Sequence, residues 1–104
     1  MSRPRVLVVS LGGTITMVPG DSGAGLTPRL GASELVAAVP QLAEIAEIEA
    51  RSPLRLPSPS LSAADIVNVA REVSEALSSG FDGAVVVQGT DTIEESAFLL
   101  DLLV

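Results

Sequence analysis

The chain has 104 residues and a formal net charge of −7, and it contains no Cys, His, Trp or Tyr. A chain of this length forms one domain at most, and its 47% apolar and 18% charged residues are typical of a folded protein. Without Cys or His, these residues cannot form a disulfide, a cysteine nucleophile, a Ser-His-Asp triad or a histidine-ligated metal site.

Charge and hydropathy also limit the partners and the location of the chain. The chain has 13 acidic residues and only six basic ones, all of them Arg, so a phosphate backbone would repel it. Its two aromatic residues are too few to form a base-stacking surface. No apolar run approaches the roughly 18 residues of a membrane helix. The apolar run behind the basic start, residues 6–9, is too short for a signal peptide. We therefore expect a cytoplasmic protein that binds neither nucleic acid nor membrane.

The first part of the chain predicts a strand, a loop and a helix. Residues 5–11 are apolar on both faces, which is typical of a buried central strand. Residues 18–29 are rich in Gly, Pro, Ser and Asp and predict a mobile loop. Ser33 is a candidate N-cap for the helix, and Pro40 should kink or end it. Four apolar residues should face inward from this segment: Leu35, Val36, Val39 and Leu42.

A second strand and a second helix follow. Residues 45–50 partly alternate between apolar and polar side chains, which indicates a strand, and the three prolines of residues 52–60 predict irregular backbone. Ser62 and Asp65 resemble a capping box, and Gly80 should end the helix that starts there. The apolar stripe of this helix consists of Ile66, Val69, Ala70, Val73 and Leu77.

A third strand over residues 84–87 and a third helix over residues 92–104 complete the order β-α-β-α-β-α. Strands that alternate with helices predict a parallel sheet covered by helices. We expect a three-layer α/β fold with a doubly wound, mainly parallel sheet. These 104 residues should form only the first β-α-β-α-β-α portion of that fold, because three parallel strands leave two open edges.

Two polar clusters follow strands, at the sheet edge where ligands bind in open parallel sheets. The first, residues 12–16 (GGTIT), has glycines that let backbone amides approach a ligand, and Thr14 could be a nucleophile if a base lies beside it. A plain Gly-rich turn is the alternative interpretation. The second, residues 88–92 (QGTDT), precedes a helix whose first turn contains Glu94 and Glu95. There, Asp91 could bind an ammonium group beside a helix N-terminus that supports an oxyanion, or Asp91 or Thr92 could be only an N-cap.

These clusters, in their wider context, resemble the bacterial asparaginase/glutaminase family. The resemblance rests on residues 8–16 (VVSLGGTIT) and 86–97 (VVQGTDTIEESA), with residues 34–40 (ELVAAVP) similar to the first helix of the family. It extends over essentially the whole chain and assigns residues 1–104 to the amino-terminal part of the N-terminal domain. The rest of that domain and the C-terminal domain are expected to be absent from this chain.

The resemblance implies hydrolysis of the side-chain amide of L-asparagine, and often of L-glutamine, without a metal or organic cofactor. It makes Thr14 the nucleophile and Thr90 the residue that works with a Lys to activate the nucleophile or water. It assigns Asp91 to holding that Lys and binding the substrate α-amino group. It also places Gly13 and Gly89 in the substrate site. The substrate α-carboxylate is assigned to Ser58 or Ser60.

The sequence departs from the family pattern at three residue types. It has no Lys for the triad and no Tyr in the loop after the first cluster, and Gln88 stands where the family usually has His. We therefore expect this chain alone to be inactive. The resemblance also implies that the complete protein is a homo-oligomer, a dimer or a tetramer. Two alternatives remain: a non-catalytic truncated binding or assembly module, and the amide-hydrolysing subunit of a tRNA-dependent amidotransferase.

Overall fold

A computed structural model of the chain describes residues 3–12, 17–19, 26–28, 31–54, 56 and 58–104. Its centre is a parallel three-stranded sheet in the order β4-β1-β5. The strands are β1 (Arg5–Ser10), β4 (Glu47–Arg51) and β5 (Gly83–Val87). The α/β class, the parallel sheet and the central position of the first strand are confirmed.

Two long helices pack on one face of this sheet. They are α3 (Ala63–Ser78) and α4 (Ile93–Leu103). Because side chains alternate along a strand, Leu7, Val9 and Leu11 share the face of the sheet that packs against these helices. The buried residues that α3 contributes to this core are Ile66, Val69, Val73 and Ala76.

The ends of α3 follow the predicted signals, but one predicted core residue is wrong. Ser62 Oγ accepts a hydrogen bond from the Asp65 amide at 3.1 Å, and the Asp65 carboxylate accepts one from the Ser62 amide at 2.8 Å, so the capping box is confirmed. Gly80 follows the helix with a φ of +115°, a conformation that favours glycine. Leu77 is 38% exposed, and Ala76 is buried in its place.

The predicted first helix is two short helices, α1 (Ala32–Ala37) and α2 (Leu42–Ile45), which Pro40 separates as expected. The N-cap is Gly31 and not Ser33: the Glu34 carboxylate accepts a hydrogen bond from the Gly31 amide at 3.0 Å. Of the four residues expected to face inward, Leu35, Val36 and Leu42 are half-buried and line an apolar groove on the second face of the sheet. The fourth, Val39, is 45% exposed, because the chain has already left the helix there.

The segment expected to be a loop also contains regular structure. Strands β2 (Met17–Pro19) and β3 (Leu26–Pro28) form an antiparallel pair. After β4, the proline-rich segment is irregular apart from a 3₁₀ turn over Ser58–Ser60. No helix within the described ranges is long and apolar enough to cross a membrane.

An ion-pair network joins β4 to α3. The Arg51 guanidinium donates hydrogen bonds to Glu72 of α3 at 3.2 Å and to Glu49 at 2.9 Å. These bonds, the one to Glu72 first, raise the pKa of Arg51 above its usual value, so this side chain stays charged. Because the pairs are partly exposed, we expect them to orient α3 more than to stabilise the fold.

Candidate functional site

The carboxyl ends of β1 and β5 lie side by side. Ser10 pairs with Val87 in the register of the two strands, and the Leu11 amide donates a hydrogen bond to the Val87 carbonyl at 2.8 Å. Gly12 then turns the chain with a φ of +107°, a conformation that only glycine adopts readily. The two polar clusters of the sequence therefore leave the sheet from neighbouring strands at the same level.

A third segment reaches this edge from β4. The Leu56 amide donates a hydrogen bond to the Leu11 carbonyl at 2.9 Å, which holds the chain after β4 beside the end of β1. The turn Ser58–Ser60 begins two residues further on. Ser60 is exposed there, and for Ser58 the structure describes the backbone in the turn. The serines that the resemblance assigned to the substrate α-carboxylate thus follow a segment bonded to this edge.

The second cluster forms the turn between β5 and α4. Gln88 and Gly89 are buried, and Thr90 and Asp91 are exposed. The Thr90 carbonyl accepts a hydrogen bond from the Ile93 amide at 3.4 Å, and the Thr92 carbonyl accepts one from the Ser96 amide at 3.0 Å. These bonds start α4 directly behind Asp91, so the Thr-Asp pair lies between a strand and a helix N-terminus, as the sequence predicted.

The N-cap of α4 is Thr92, one of the two residues that the capping interpretation named, although its side chain makes no capping hydrogen bond in the described part of the chain. Instead, Thr92 Oγ1 accepts a hydrogen bond from Gln88 Nε2 at 3.3 Å. Asp91 precedes the N-cap. The interpretation of Asp91 as the N-cap is therefore wrong, because the helix begins one residue later than that interpretation requires.

Two buried polar atoms at this edge were not anticipated from the sequence. Ser10 Oγ and Gln88 Oε1 are fully buried and find no hydrogen-bond partner in the structure as described. Most buried polar atoms in folded proteins are paired, so each such atom needs an explanation. The apolar strand residues that precede Ser10 and Gln88 in the sequence were the available signal, since they place these polar side chains at the ends of buried strands.

The acidic charge at this edge comes from Asp91 and from Glu94 and Glu95 in the first turn of α4. The positive end of the α4 dipole favours these acids. Within the described ranges, no three acidic side chains are close enough together to hold a metal ion. The chain has no Lys, so the basic partner that the resemblance implies for Thr90 and Asp91 is not among its residues.

The structure brings Gly89, Thr90 and Asp91 together on one turn, close to the edge that carries Gly12. Gly13 and Thr14 lie outside the described residues, as does the side chain of Ser58. Their roles therefore stay predictions from the sequence. Gly12, which directly precedes Gly13 and Thr14 in the sequence, is described and lies just after the end of β1.

Comparison with known proteins gives a consistent result along the whole chain. Residues 5–104 match the family model described as "Asparaginase, N-terminal". The chain is 40% identical over 101 residues to a probable L-asparaginase from Deinococcus radiodurans, covering 97% of this chain and 29% of that protein. It is 34% identical over 101 residues to a component of the glutamyl-tRNA(Gln) amidotransferase from Methanosarcina mazei, covering 97% of this chain and 24% of that protein.

The fold agrees with that of a solved structure. The crystal structure of a probable cytoplasmic L-asparaginase from Campylobacter jejuni superimposes with a TM-score of 0.85 at 28% sequence identity. The superposition covers 94% of this chain and 31% of that one. The chain therefore spans less than a third of the length of these relatives.

Proposed function

We propose, given that this chain belongs to the asparaginase family, that it is the amino-terminal part of an amidohydrolase that converts L-asparagine to L-aspartate and ammonia. L-Glutamine is the second substrate to be tested. One observation carries this proposal. The hydrogen bond between the Leu11 amide and the Val87 carbonyl joins the ends of β1 and β5, the strands that residues 12–14 and 88–91 follow in the sequence. Both clusters can therefore act on one small molecule in this proposal.

Thr14 is the nucleophile in this proposal. Its hydroxyl oxygen attacks the amide carbon, and its proton passes to the amide nitrogen, so that the C–N bond breaks and ammonia leaves. Water then hydrolyses the resulting ester, which releases the acid and restores the Thr14 hydroxyl. Gly13 and Gly89 belong to the substrate site in this proposal, and backbone amides there stabilise the oxyanion of the intermediate. Ser58 or Ser60 binds the substrate α-carboxylate, and Asp91 binds its α-amino group.

Thr90 and Asp91 require a basic partner from outside these residues, because the chain contains no Lys. We therefore propose that residues 1–104 form a partial N-terminal domain, and that the remainder of the protein supplies this partner. We also propose a cytoplasmic homo-oligomer for the complete protein. The name of the Campylobacter jejuni structure supports the location.

The similarity to an amidotransferase does not displace this proposal, because the family model is that of asparaginase and the identity to the Deinococcus radiodurans relative is higher, 40% against 34%. A net charge of −7 also makes the chain a poor surface for RNA. A non-catalytic module would need no Thr-Asp pair at a sheet edge, so the geometry favours the enzyme.

The test measures ammonia release from free L-asparagine and L-glutamine. The protein assayed is the full polypeptide, meaning the complete protein of which residues 1–104 are the amino-terminal part. Thr14→Ala should lower kcat by 10³-fold or more, the scale of losing a covalent nucleophile. Thr16→Ala, which removes a neighbouring hydroxyl, is the matched control and should retain activity. A Thr14→Ala variant with the wild-type rate would assign the chemistry to another residue, with Thr90 the first to examine.

A further inference from the structure

The Gln88 side chain bridges the turn that carries Thr90 and Asp91. Gln88 is 9% exposed and directly follows β5. Its Nε2 donates one hydrogen bond to the Gly89 carbonyl at 3.0 Å and another to Thr92 Oγ1 at 3.3 Å. One partner precedes the Thr-Asp pair and the other follows it. Both ends of the turn are therefore attached to a single buried amide group.

The other half of the same amide makes its presence costly for folding. Gln88 Oε1 is buried and has no hydrogen-bond partner in the part of the chain that the structure describes. A buried acceptor without a donor loses its hydration and gains nothing in return. Within the described residues, this loss offsets the gain from the two Nε2 bonds, so an apolar side chain of the same length would leave the stability of this part of the chain much the same.

We infer that Gln88 is a positioning residue: its Nε2 hydrogen bonds to Gly89 and Thr92 hold Thr90 and Asp91 in the geometry that the reaction needs. The inference rests on the proposed function of these two residues. Thr90 and Asp91 are exposed, so packing does little to restrict the turn on which they lie. A displacement of about 1 Å in a positioning group can lower a rate about a hundredfold. Gln88 itself is assigned no contact with the substrate.

Two variants of the full polypeptide test the inference. Gln88→Met keeps the length of the side chain and removes both Nε2 bonds and the unpaired Oε1. We expect kcat/KM to fall about ten- to hundredfold, while Tm stays the same or rises. A residue that is important only for packing would give the opposite result, with a lower Tm and a retained specific activity of the folded fraction.

Gln88→Glu makes the hydrogen bond to Gly89 dependent on pH. A carboxylate cannot donate to the Gly89 carbonyl, whereas a protonated carboxyl can. Burial and the nearby carbonyl oxygen favour the protonated form, and so do the acids on the turn and on α4, namely Asp91, Glu94 and Glu95. The geometry is thus restored as the pH falls. We expect the ratio of variant to wild-type kcat/KM to rise at least fivefold from pH 8 to pH 5, and the wild-type reference cancels the titration of the other acids.

Gln41 provides the matched control, because it is the other glutamine of the chain and is exposed on the link before α2. Gln41→Met and Gln41→Glu should retain the wild-type kcat/KM at every pH. A Gln88→Met variant with the wild-type kcat/KM would overturn the inference, and so would a flat pH ratio for Gln88→Glu.

Hydrogen exchange separates this inference from the proposed function. The amides of residues 90–93 should exchange about tenfold faster in Gln88→Met than in the wild type, whether or not the protein releases ammonia. Unchanged exchange at these amides would refute the positioning role by itself. Conversely, the wild-type protein could be inactive on both amides while exchange is still faster in Gln88→Met. That result would refute the proposed function and retain Gln88 as the residue that fixes this turn.

Discussion

Replacement of Asp91 by Asn separates a structural role of this residue from a functional one. Asp91 is exposed and precedes the N-cap of α4, where its charge stabilises the helix through the dipole. That contribution is at most about 1 kcal/mol and is reduced by solvent screening. For a polypeptide of more than about 150 residues, 1 kcal/mol corresponds to roughly 2–4 °C in Tm. We therefore expect Asp91→Asn to lower Tm by a few degrees at most.

The expected effect on catalysis is larger. If the Asp91 carboxylate binds a substrate ammonium group, Asn retains the shape and loses the charge, which costs about 2 kcal/mol, the scale of a hydrogen bond to a charged group. This corresponds to a fall of about thirtyfold in kcat/KM. Ammonia release over a range of asparagine concentrations, measured with the full polypeptide, gives kcat and KM separately. The same preparation should be used for the thermal melt.

Glu95→Gln is the control for this experiment. Glu95 is an exposed acid in the first turn of α4, so its replacement removes the same charge from the same helix end. It should shift Tm about as much as Asp91→Asn does and leave kcat/KM unchanged. If Asp91→Asn also leaves kcat/KM unchanged, the carboxylate is not a ligand. If both variants lose activity equally, the effect is one of general charge, and the assignment of Asp91 is refuted.

Three further predictions concern the chain of 104 residues by itself. It should release no measurable ammonia from asparagine or glutamine, because it has no Lys to act with Thr90; turnover in a coupled ammonia assay would contradict this. It should self-associate through exposed apolar residues of α4 such as Phe98, which is 64% exposed, and Leu102; a monomer in light scattering with a cooperative melt would be the contrary result. Gly80→Ala should lower the free energy of unfolding by about 1–2 kcal/mol, because Ala tolerates the positive φ of this residue poorly. Gly83→Ala is the control and should leave the free energy of unfolding unchanged, since its new Cβ meets no described atom within 4 Å. Equal melting curves for the two variants would refute the argument.

Much of the fold could be predicted because its signals are local. The apolar run of residues 5–11 indicated a strand buried on both faces, and the structure places β1 between its two neighbours. The hydrogen bonds of the Ser62 capping box join residues only three apart, so sequence spacing predicts them.

The errors arise where distant residues decide. Ser33 was expected to cap α1, but the helix begins at Ala32, whose amide donates to Ser52 Oγ at 2.7 Å, a partner 20 residues away. Ala76 and not Leu77 faces the core, because packing against the sheet sets the rotation of α3. The pairing of β2 with β3 could not be predicted either, because the composition of this segment is typical of a loop. None of these contacts leaves a periodic signal in the sequence.

The candidate site shows the same division between local and distant information. The identities of Thr90 and Asp91 and their position behind a strand could be deduced from adjacent residues. The bond from Gln88 to Thr92 could not, because it depends on how the turn folds back on itself. The sequence suggested an amide capable of hydrogen bonding at residue 88, and only the structure shows which atoms it joins and which it leaves unpaired.

The sheet, more than the loops, determines where the two clusters meet. Leu7, Val9 and Leu11 are buried against α3, so a slip of β1 by one residue would turn them away from the core and turn Ser10 into it. That penalty fixes β1 in the register that pairs Ser10 with Val87. The clusters then leave neighbouring strands at one level, although residues 17–87 separate them in the sequence. Changes that loosen the packing of α3 should therefore impair the site without altering any residue in it.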